Sequence, residues 1–223
     1  MSGRHTRFET SEEKLQTLLK QLKEHTERRE TVFLPEQAAL LIIDMQKYFL
    51  EEHSHAFIPG AGPAIRKIKD LADAFRRRNL PIILTRHINT KDNAKLMGSW
   101  WKDLITAENK LSDLIPELDI PGATVISKTQ YDAFYETNLE ALLKEWSIAQ
   151  VVIGGVATHL CCETTARSAF VRGISVFLPL DATATYTREF FRASLLNLSH
   201  GFATPVLARE LMDQLEASGY VRH

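Results

Sequence analysis

Residues 38–44 read AALLIID, an uninterrupted apolar run that ends in an acid. Similar short runs, several rich in β-branched residues, occupy residues 81–85, 123–127, 150–154 and 174–178. Runs that are apolar on both faces are typical of strands that helices cover on both sides, as in parallel sheets. Residues 38–44 therefore predict the first strand of a buried parallel sheet.

Helical patterns separate these runs. Residues 64–78 place Ile65, Ile68, Leu71 and Phe75 at spacings of three and four, which predicts a helix with one apolar face. Because strands and helices alternate, right-handed βαβ units are expected. We predict a three-layer, doubly wound α/β fold with a central, mostly parallel six-stranded sheet. The other predicted elements are helices over residues 138–146, 158–172, 187–197 and 210–217 and a strand over residues 204–207.

Composition excludes several classes of protein. Of the 223 residues, 44% are hydrophobic and 25% are charged, unlike disordered, collagen-like or disulfide-scaffold chains. A net charge of −1 gives no electrostatic footprint for nucleic acid or for an anionic membrane. No apolar run is long enough to span a bilayer, and residues 1–7 lack the apolar segment of a signal peptide. We expect a cytoplasmic protein.

The first residues differ from the rest of the chain. A charged helix is predicted to begin at Ser11, with a narrow stripe of leucines between residues 15 and 22. This helix either packs on its own domain or serves as an oligomerisation arm. We predict an N-terminal helical extension over residues 1–30 and one domain over residues 31–223, since no linker divides the remainder.

Polar residues stand where three predicted strands end. In open α/β sheets, ligands bind beyond the carboxyl ends of the strands. Asp44 ends the first run and is either a helix cap or a working carboxylate. Lys128 ends the third run, where a buried ammonium would be costly without an anion nearby; taken alone, it reads as an exposed residue.

Adjacent thiols follow the fourth run. Gly154 and Gly155 leave the strand, and Cys161 and Cys162 fall in the first turns of the next helix. Neighbouring cysteines cannot staple a fold, so packing or reactivity must explain them. A helix N-terminus favours a thiolate, so a thiol pKa below the usual value of about 8.5 is expected. Together with Asp44 and Lys128, such a thiol could act as a nucleophile.

Three segments carry a family resemblance, namely LLIIDMQ at residues 40–46, KTQYDAF at 128–134 and GVATHLC at 155–161. The chain resembles the isochorismatase-like cysteine hydrolase superfamily, which includes nicotinamidases, N-carbamoylsarcosine amidases and ureidoacrylate or biuret amidohydrolases. The resemblance spans roughly residues 36–210. It implies a catalytic triad, a cis peptide bond before one residue of an oxyanion hole, and cleavage of a small amide through a thioester. The implied triad is Asp44, Lys128 and Cys161, and the implied oxyanion hole is formed by the N–H groups of Ala157 and Cys161.

The resemblance further implies a small-molecule substrate, a homodimer or homotetramer, and thiol chemistry that needs no cofactor. True isochorismatases share Tyr48, Phe49 and His159, but they carry a small residue in place of Cys161 and cleave a vinyl ether without a covalent step. Cys161 therefore favours an amidohydrolase, with vinyl ether hydrolysis as the alternative. A binding protein on an inherited fold and a redox role for Cys161 and Cys162 are weaker alternatives; Cys162 is predicted to pack in the helix.

Nicotinamidases also carry a metal held by an aspartate and two histidines. The spacing of His53, His55 and His87 does not reproduce that pattern, so no metal is predicted. Residues near the strand ends are the candidates for substrate contact, with one of Trp100 and Trp101 expected to wall the pocket. The predicted substrate-binding residues are Arg86, as a carboxylate clamp, Trp100, Tyr131, His159 and Phe49; Gln46 is predicted to support Asp44 or nearby backbone, and Thr158 to cap the nucleophile helix.

Overall fold

One sheet organises the protein. The computed structural model describes residues 11–24 and 31–217. Its strands are β1 (Ala38–Ile43), β2 (Ile82–His87), β3 (Thr124–Lys128), β4 (Gln150–Val156), β5 (Ser175–Pro179), β6 (Thr183–Ala184) and β7 (Thr204–Val206). They follow the order β3-β2-β1-β4-β5-β7, all paired in parallel, and the two-residue β6 pairs with β4 beside this path. The predicted six strands are thus present, and β6 makes a seventh.

The longer helices lie close to where the apolar spacing predicts them, whereas the short helices Lys47–Leu50 and Met97–Trp100 were not predicted. The helix predicted from residue 158 begins with a π-helical turn, Thr158–Cys162, that continues directly into the α-helix Glu163–Val171. The α-helices are α1 (Glu12–Glu24), α2 (Lys47–Leu50), α3 (Ala61–Arg77), α4 (Met97–Trp100), α5 (Leu139–Glu145), α6 (Glu163–Val171), α7 (Arg188–Gly201) and α8 (Ala208–Ala217).

Two apolar cores cover the sheet. Side chains of β1 alternate between them, and every residue of β1 is fully buried. One core contains Leu41 and side chains of α1, α5, α6 and α7, and the other contains Leu40 and side chains of α3 and α8. The three-layer prediction is therefore confirmed. Among the residues that the structure describes, no helix combines the length and apolarity that a bilayer span requires.

The N-terminal helix joins one of these cores. Leu15, Leu19 and Leu22 of α1 are buried against the same cluster as α7. This packing supports the interpretation that α1 lies on its own domain. Residues 1–10 and 25–30 of the predicted extension lie outside the described part of the chain, so its separation from a domain at residues 31–223 stays a prediction.

The sheet reverses its winding between β1 and β4. From β1 the chain builds outward to β2 and β3, and from β4 it builds outward to β5 and β7. A crevice opens at such a switch point, beyond the carboxyl ends of the two strands. Gly155 allows the close approach there, because its φ is +120° and a Cβ would lie 2.2 Å from the Ile43 carbonyl oxygen. The fold thus places the ends of β1 and β4 side by side.

Candidate active site

Asp44 is oriented by the neighbouring strand. It follows β1 directly, has a φ of +48° and is fully buried. Its backbone N–H donates to Thr85 Oγ1 at 3.1 Å, and the Thr85 hydroxyl donates to Asp44 Oδ1 at 2.6 Å. Aspartate tolerates this left-handed backbone better than most residues. The turn leaves Oδ2 directed toward the end of β3.

Lys128 occupies the space that Oδ2 faces. Its side chain is fully buried, and Nζ lies 2.7 Å from Asp44 Oδ2. Nζ also donates to the Gln130 carbonyl at 2.8 Å and lies 3.4 Å from Cys161 Sγ. Burial alone would lower the pKa of Lys128, but its interactions with the Asp44 carboxylate and with Cys161 outweigh this effect and raise the pKa. The ammonium therefore remains charged and has the nearby anion that a buried lysine requires.

Cys161 completes the cluster from the π-helical turn after β4. The peptide bond between Val156 and Ala157 at the start of this turn is cis, as the resemblance implies. Burial raises the pKa of Cys161 to about 12, although Lys128 opposes the rise. The prediction of a lowered pKa is therefore wrong, because loss of hydration outweighs the attraction of nearby positive charge. The sulfur is a thiol in the free protein and needs a proton acceptor before it can attack.

Cys162 is the neighbouring thiol, and it is packed in an apolar core. It is fully buried among the apolar side chains that cover one face of the sheet, and burial raises the pKa of its thiol well above the ordinary range. Its surroundings fit the predicted packing role.

His87 is a neighbour that the sequence analysis weighed only as a possible metal ligand, with no catalytic or substrate-binding role. It is the register partner of Lys128 in the β2–β3 pair, and its Nδ1 lies 3.4 Å from Lys128 Nζ. Its Nε2 lies 2.7 Å from Asn89 Oδ1. Burial and the charge of Lys128 lower the pKa of His87 to about 4, so the ring is neutral. The available signal was the position of His87 at the end of β2, beside Arg86.

Asp44, His87 and Cys161 each present an atom that can ligate a metal, all within 4.8 Å of one another. The ammonium of Lys128 already lies between them, so a metal cation there would be repelled. His53 and His55, which were weighed with His87 as metal ligands, lie outside this group. His53 is exposed and pairs with Glu51, and His55 stands in the wall of a cavity above Cys161.

That cavity has a volume of about 250 Å³ and opens onto Cys161. Five of its lining residues are tyrosine, phenylalanine or tryptophan. At one place Tyr48, His55 and Asp103 bond to one another, with Tyr48 donating to the Asp103 carboxylate. Burial and Asp103 raise the pKa of Tyr48 well above its usual value. Lining residues include Tyr48, Phe49, His55, His87, Asn89, Met97, Trp101, Lys102, Asp103, Ile105, Tyr131, Ala157, Leu160, Cys161 and Tyr186.

The cavity contains some of the predicted substrate residues. Phe49 and Tyr131 line it. Of the two tryptophans, Trp101 lines the cavity and donates its indole N–H to the Tyr131 hydroxyl at 2.8 Å. Trp100 does not line it and is 77% exposed. The prediction that Trp100 walls the pocket is therefore wrong, because Trp101 has this position. Tyr186, which follows β6, is a wall residue that no sequence signal indicated.

Arg86 and His159 also do not line this cavity. The Arg86 guanidinium donates to the Ser112 carbonyl and hydroxyl and to Asp113, which places it on the opposite side of β2 from His87. Successive residues of a strand point to opposite faces, so only one of this pair can reach the site. The His159 ring stacks on Phe190, and its Nδ1 lies 2.5 Å from Thr185 Oγ1. Both predicted substrate contacts are inconsistent with these positions.

Of the two residues predicted to support the site, Gln46 has the predicted contacts and Thr158 does not. Gln46 bridges two segments, because its amide donates to the carbonyls of His87 and Ser112 and accepts the His87 backbone N–H at 2.7 Å. It therefore fixes backbone beside the site, as predicted. Thr158 is buried, but its hydroxyl has no hydrogen-bond partner among the described residues and does not cap the turn.

Known proteins resemble this chain in sequence and in fold. The family model of the isochorismatase domain matches residues 38–210. The chain is 37% identical to Nicotinamidase 3 of Arabidopsis thaliana over 74% of this chain and 82% of that protein. It is 31% identical to isochorismatase of Bacillus subtilis over 82% of this chain, but only 59% of that relative's length is covered.

A solved cysteine hydrolase from Pseudomonas syringae has the same fold, with a TM-score of 0.79 and 22% identity over 85% of this chain and 97% of that one. The family model covers most of the chain, and the sequence relatives exceed 30% identity. This protein therefore belongs to the isochorismatase family of hydrolases.

Proposed function

We propose that this protein is a cysteine amidohydrolase that cleaves the C–N bond of a small amide, carbamoyl or ureido compound through a thioester. One observation carries the proposal. Cys161 Sγ lies 3.4 Å from Lys128 Nζ, which lies 2.7 Å from Asp44 Oδ2, and Cys161 of this buried cluster lines a cavity of about 250 Å³. A buried thiol beside a carboxylate and an ammonium has the partners that a nucleophile needs.

Acylation begins with proton transfer from the Cys161 thiol to Asp44. The thiolate attacks the carbonyl carbon, forming a C–S bond while the carbonyl electron pair moves onto oxygen. We assign the backbone N–H groups of Ala157 and Cys161 to this oxyanion, where one donor contributes about 3 kcal/mol in other enzymes. The Ala157 carbonyl already accepts the N–H groups of Leu160 and Cys162, which flank Cys161. Asp44 then returns its proton to the leaving nitrogen as the C–N bond breaks.

Deacylation reverses the roles. Asp44 accepts a proton from water, and the resulting hydroxide attacks the thioester carbonyl. The C–S bond breaks, the sulfur recovers the proton, and the acid leaves. Lys128 keeps a positive charge beside both groups, which favours the ionised form of whichever of them has lost its proton.

The cavity wall supports a small planar substrate. Aromatic faces from Phe49, Trp101, Tyr131 and Tyr186 surround the space next to Cys161. Such walls bind flat groups by stacking and exclude bulky ones. The relative named Nicotinamidase 3 supports an aromatic carboxamide as the first compound to test.

The test is ammonia release from a panel of nicotinamide, ureidoacrylate and N-carbamoyl amino acids. We expect turnover of at least one compound, and a loss of at least about a thousandfold in Cys161→Ala. Cys162→Ala is the matched control, because it removes the neighbouring thiol in the apolar core, and it should retain turnover. Equal losses in both variants would contradict the assignment of Cys161.

The relative named isochorismatase supports a second candidate, hydrolysis of a vinyl ether with Asp44 as the acid and no covalent step. The same variant separates the two reactions. Cys161→Ala abolishes a thiol-dependent amidase, whereas a vinyl ether hydrolase retains its activity on isochorismate. In either case we propose a homodimer or homotetramer that works without a cofactor.

A further inference from the structure

The Lys128 ammonium has more acceptors around it than it has hydrogens. An ammonium carries three N–H donors. Nζ forms a salt bridge with Asp44 Oδ2 at 2.7 Å and donates to the Gln130 carbonyl at 2.8 Å, and we assign one hydrogen to each of these two shortest contacts. Two acceptors then remain for the third, Cys161 Sγ and His87 Nδ1, and both lie at 3.4 Å.

A chain of hydrogen bonds keeps His87 Nδ1 able to accept. Asn89 donates its amide N–H to the Thr129 carbonyl at 2.9 Å, which turns its oxygen toward the imidazole. That oxygen lies 2.7 Å from His87 Nε2, so Nε2 must carry the ring hydrogen and donate it. The ring is neutral, and its other nitrogen, Nδ1, is therefore bare and faces Lys128.

We propose that His87 is a positioning residue that competes with the Cys161 sulfur for the third hydrogen of the Lys128 ammonium. The proposal rests on the assignment of Cys161 as the nucleophile. A neutral thiol or a thioester is a weak acceptor, so the hydrogen then bonds to His87. A thiolate is a strong acceptor, so the hydrogen then turns to the sulfur. When the sulfur is a thiol or a thioester and carries no negative charge, His87 thus accepts the third hydrogen bond of the buried ammonium.

Removing this competitor has a defined effect on the thiol. In His87→Leu the third hydrogen has only the sulfur to bond. The state with a neutral thiol loses the hydrogen bond from Lys128 to His87, whereas the state with a thiolate loses nothing, so the pKa of Cys161 falls. A side chain that acted only by filling space would do the opposite, because an apolar leucine reduces polarity and raises a thiol pKa. The sign of the shift therefore separates competition from packing. The other titratable groups near the sulfur are Asp44, Lys128, Tyr131, Tyr186 and Cys162.

The experiment is the pH dependence of Cys161 alkylation by iodoacetamide, in a Cys162→Ala background and without substrate. We expect His87→Leu to react about tenfold faster than its parent at pH 8, the effect of losing one neutral hydrogen bond. His87→Gln offers an amide oxygen to Lys128 and should restore the parent profile. An unchanged or slower rate in His87→Leu, or a Gln variant that behaves like Leu, overturns the proposal.

A second measurement needs no substitution at His87. Nitrogen-15 NMR of the intact protein should give a protonated Nε2 and a bare Nδ1 for His87 between pH 5 and pH 8. A proton on Nδ1 overturns the proposal even if His87→Leu does not fold. Both measurements are made without turnover, so failure to find ammonia release would count against the proposed function and not against this competition.

Discussion

At the scale of single residues, the site consists of charges and polar groups that are almost entirely removed from bulk solvent. Asp44 and Lys128 have fully buried side chains, and Cys161 and His87 are nearly so. Each group therefore depends on its neighbours for solvation. The same neighbours hold a charged ammonium, a neutral imidazole and a neutral thiol within a few ångströms. Substitutions here should act on stability as well as on activity.

Breaking the Asp44–Lys128 pair should be costly, because either partner alone is an uncompensated buried charge. We expect Lys128→Met to lower the free energy of unfolding by about 3–5 kcal/mol. The double variant Asp44→Asn with Lys128→Met removes both charges and should lie closer to the parent protein than Lys128→Met does. Urea unfolding of the parent, the two single variants and the double variant measures this coupling, and additive losses would contradict it.

His87 should make stability depend on pH. Its pKa is about 4 in the folded protein and about 6.5 when unfolded, so between these values the unfolded chain binds a proton that the folded one does not. Stability is therefore fully present above pH 6.5 and declines as pH falls toward 4, by about 3 kcal/mol from this residue. His87→Gln, which cannot titrate, should show a correspondingly smaller loss between pH 7 and pH 4 in urea unfolding. Parallel curves for the two proteins would refute this assignment.

At the scale of elements, the ends of parallel strands bring the site together. Asp44, Lys128 and Cys161 could be chosen from the sequence because each follows an apolar strand, and such ends meet at one edge. The choice between Arg86 and His87 required the register of β2, which pairs His87 with Lys128. The choice between Trp100 and Trp101 depended on the turn geometry of α4. Successive side chains of β2 point to opposite faces, so only one of Arg86 and His87 can face the site, but this alternation alone does not show which one.

The contact between β1 and β4 gives a prediction at this scale. Gly155→Ala would place a Cβ 2.2 Å from the Ile43 oxygen in a backbone conformation that alanine avoids, so we expect a loss of several kcal/mol or failure to fold. Gly62→Ala is the matched control, because it lies in helix α3 with nothing within 4 Å of the added Cβ. The control should be neutral or slightly stabilising. Thermal unfolding compares the two, and similar melting temperatures would contradict the close-approach argument.

At the scale of the whole molecule, the two faces of the sheet are covered by helices from distant parts of the chain. The core that includes Cys161 and Cys162 also includes leucines of α1, which precedes the family-matched segment at residues 38–210. Residue patterning predicted the helix, yet it left open whether the stripe of leucines packs inside one chain or between chains. A narrow stripe fits either arrangement, because both bury the same kind of surface.

Leu22 decides between these arrangements, since it is fully buried within the described chain. If α1 is part of its own domain's core, Leu22→Ala should lower the free energy of unfolding by about 2–5 kcal/mol, and the same unfolding should be seen by tryptophan fluorescence and by circular dichroism. Lys20→Ala, on the exposed side of the same helix, should change it by less than about 0.5 kcal/mol. Light scattering at matched concentrations provides the second readout. If α1 is an arm between subunits, Leu22→Ala should have a smaller assembly mass than the parent while it is still folded. If α1 packs within its own chain, the folded variant should have the same assembly mass as the parent.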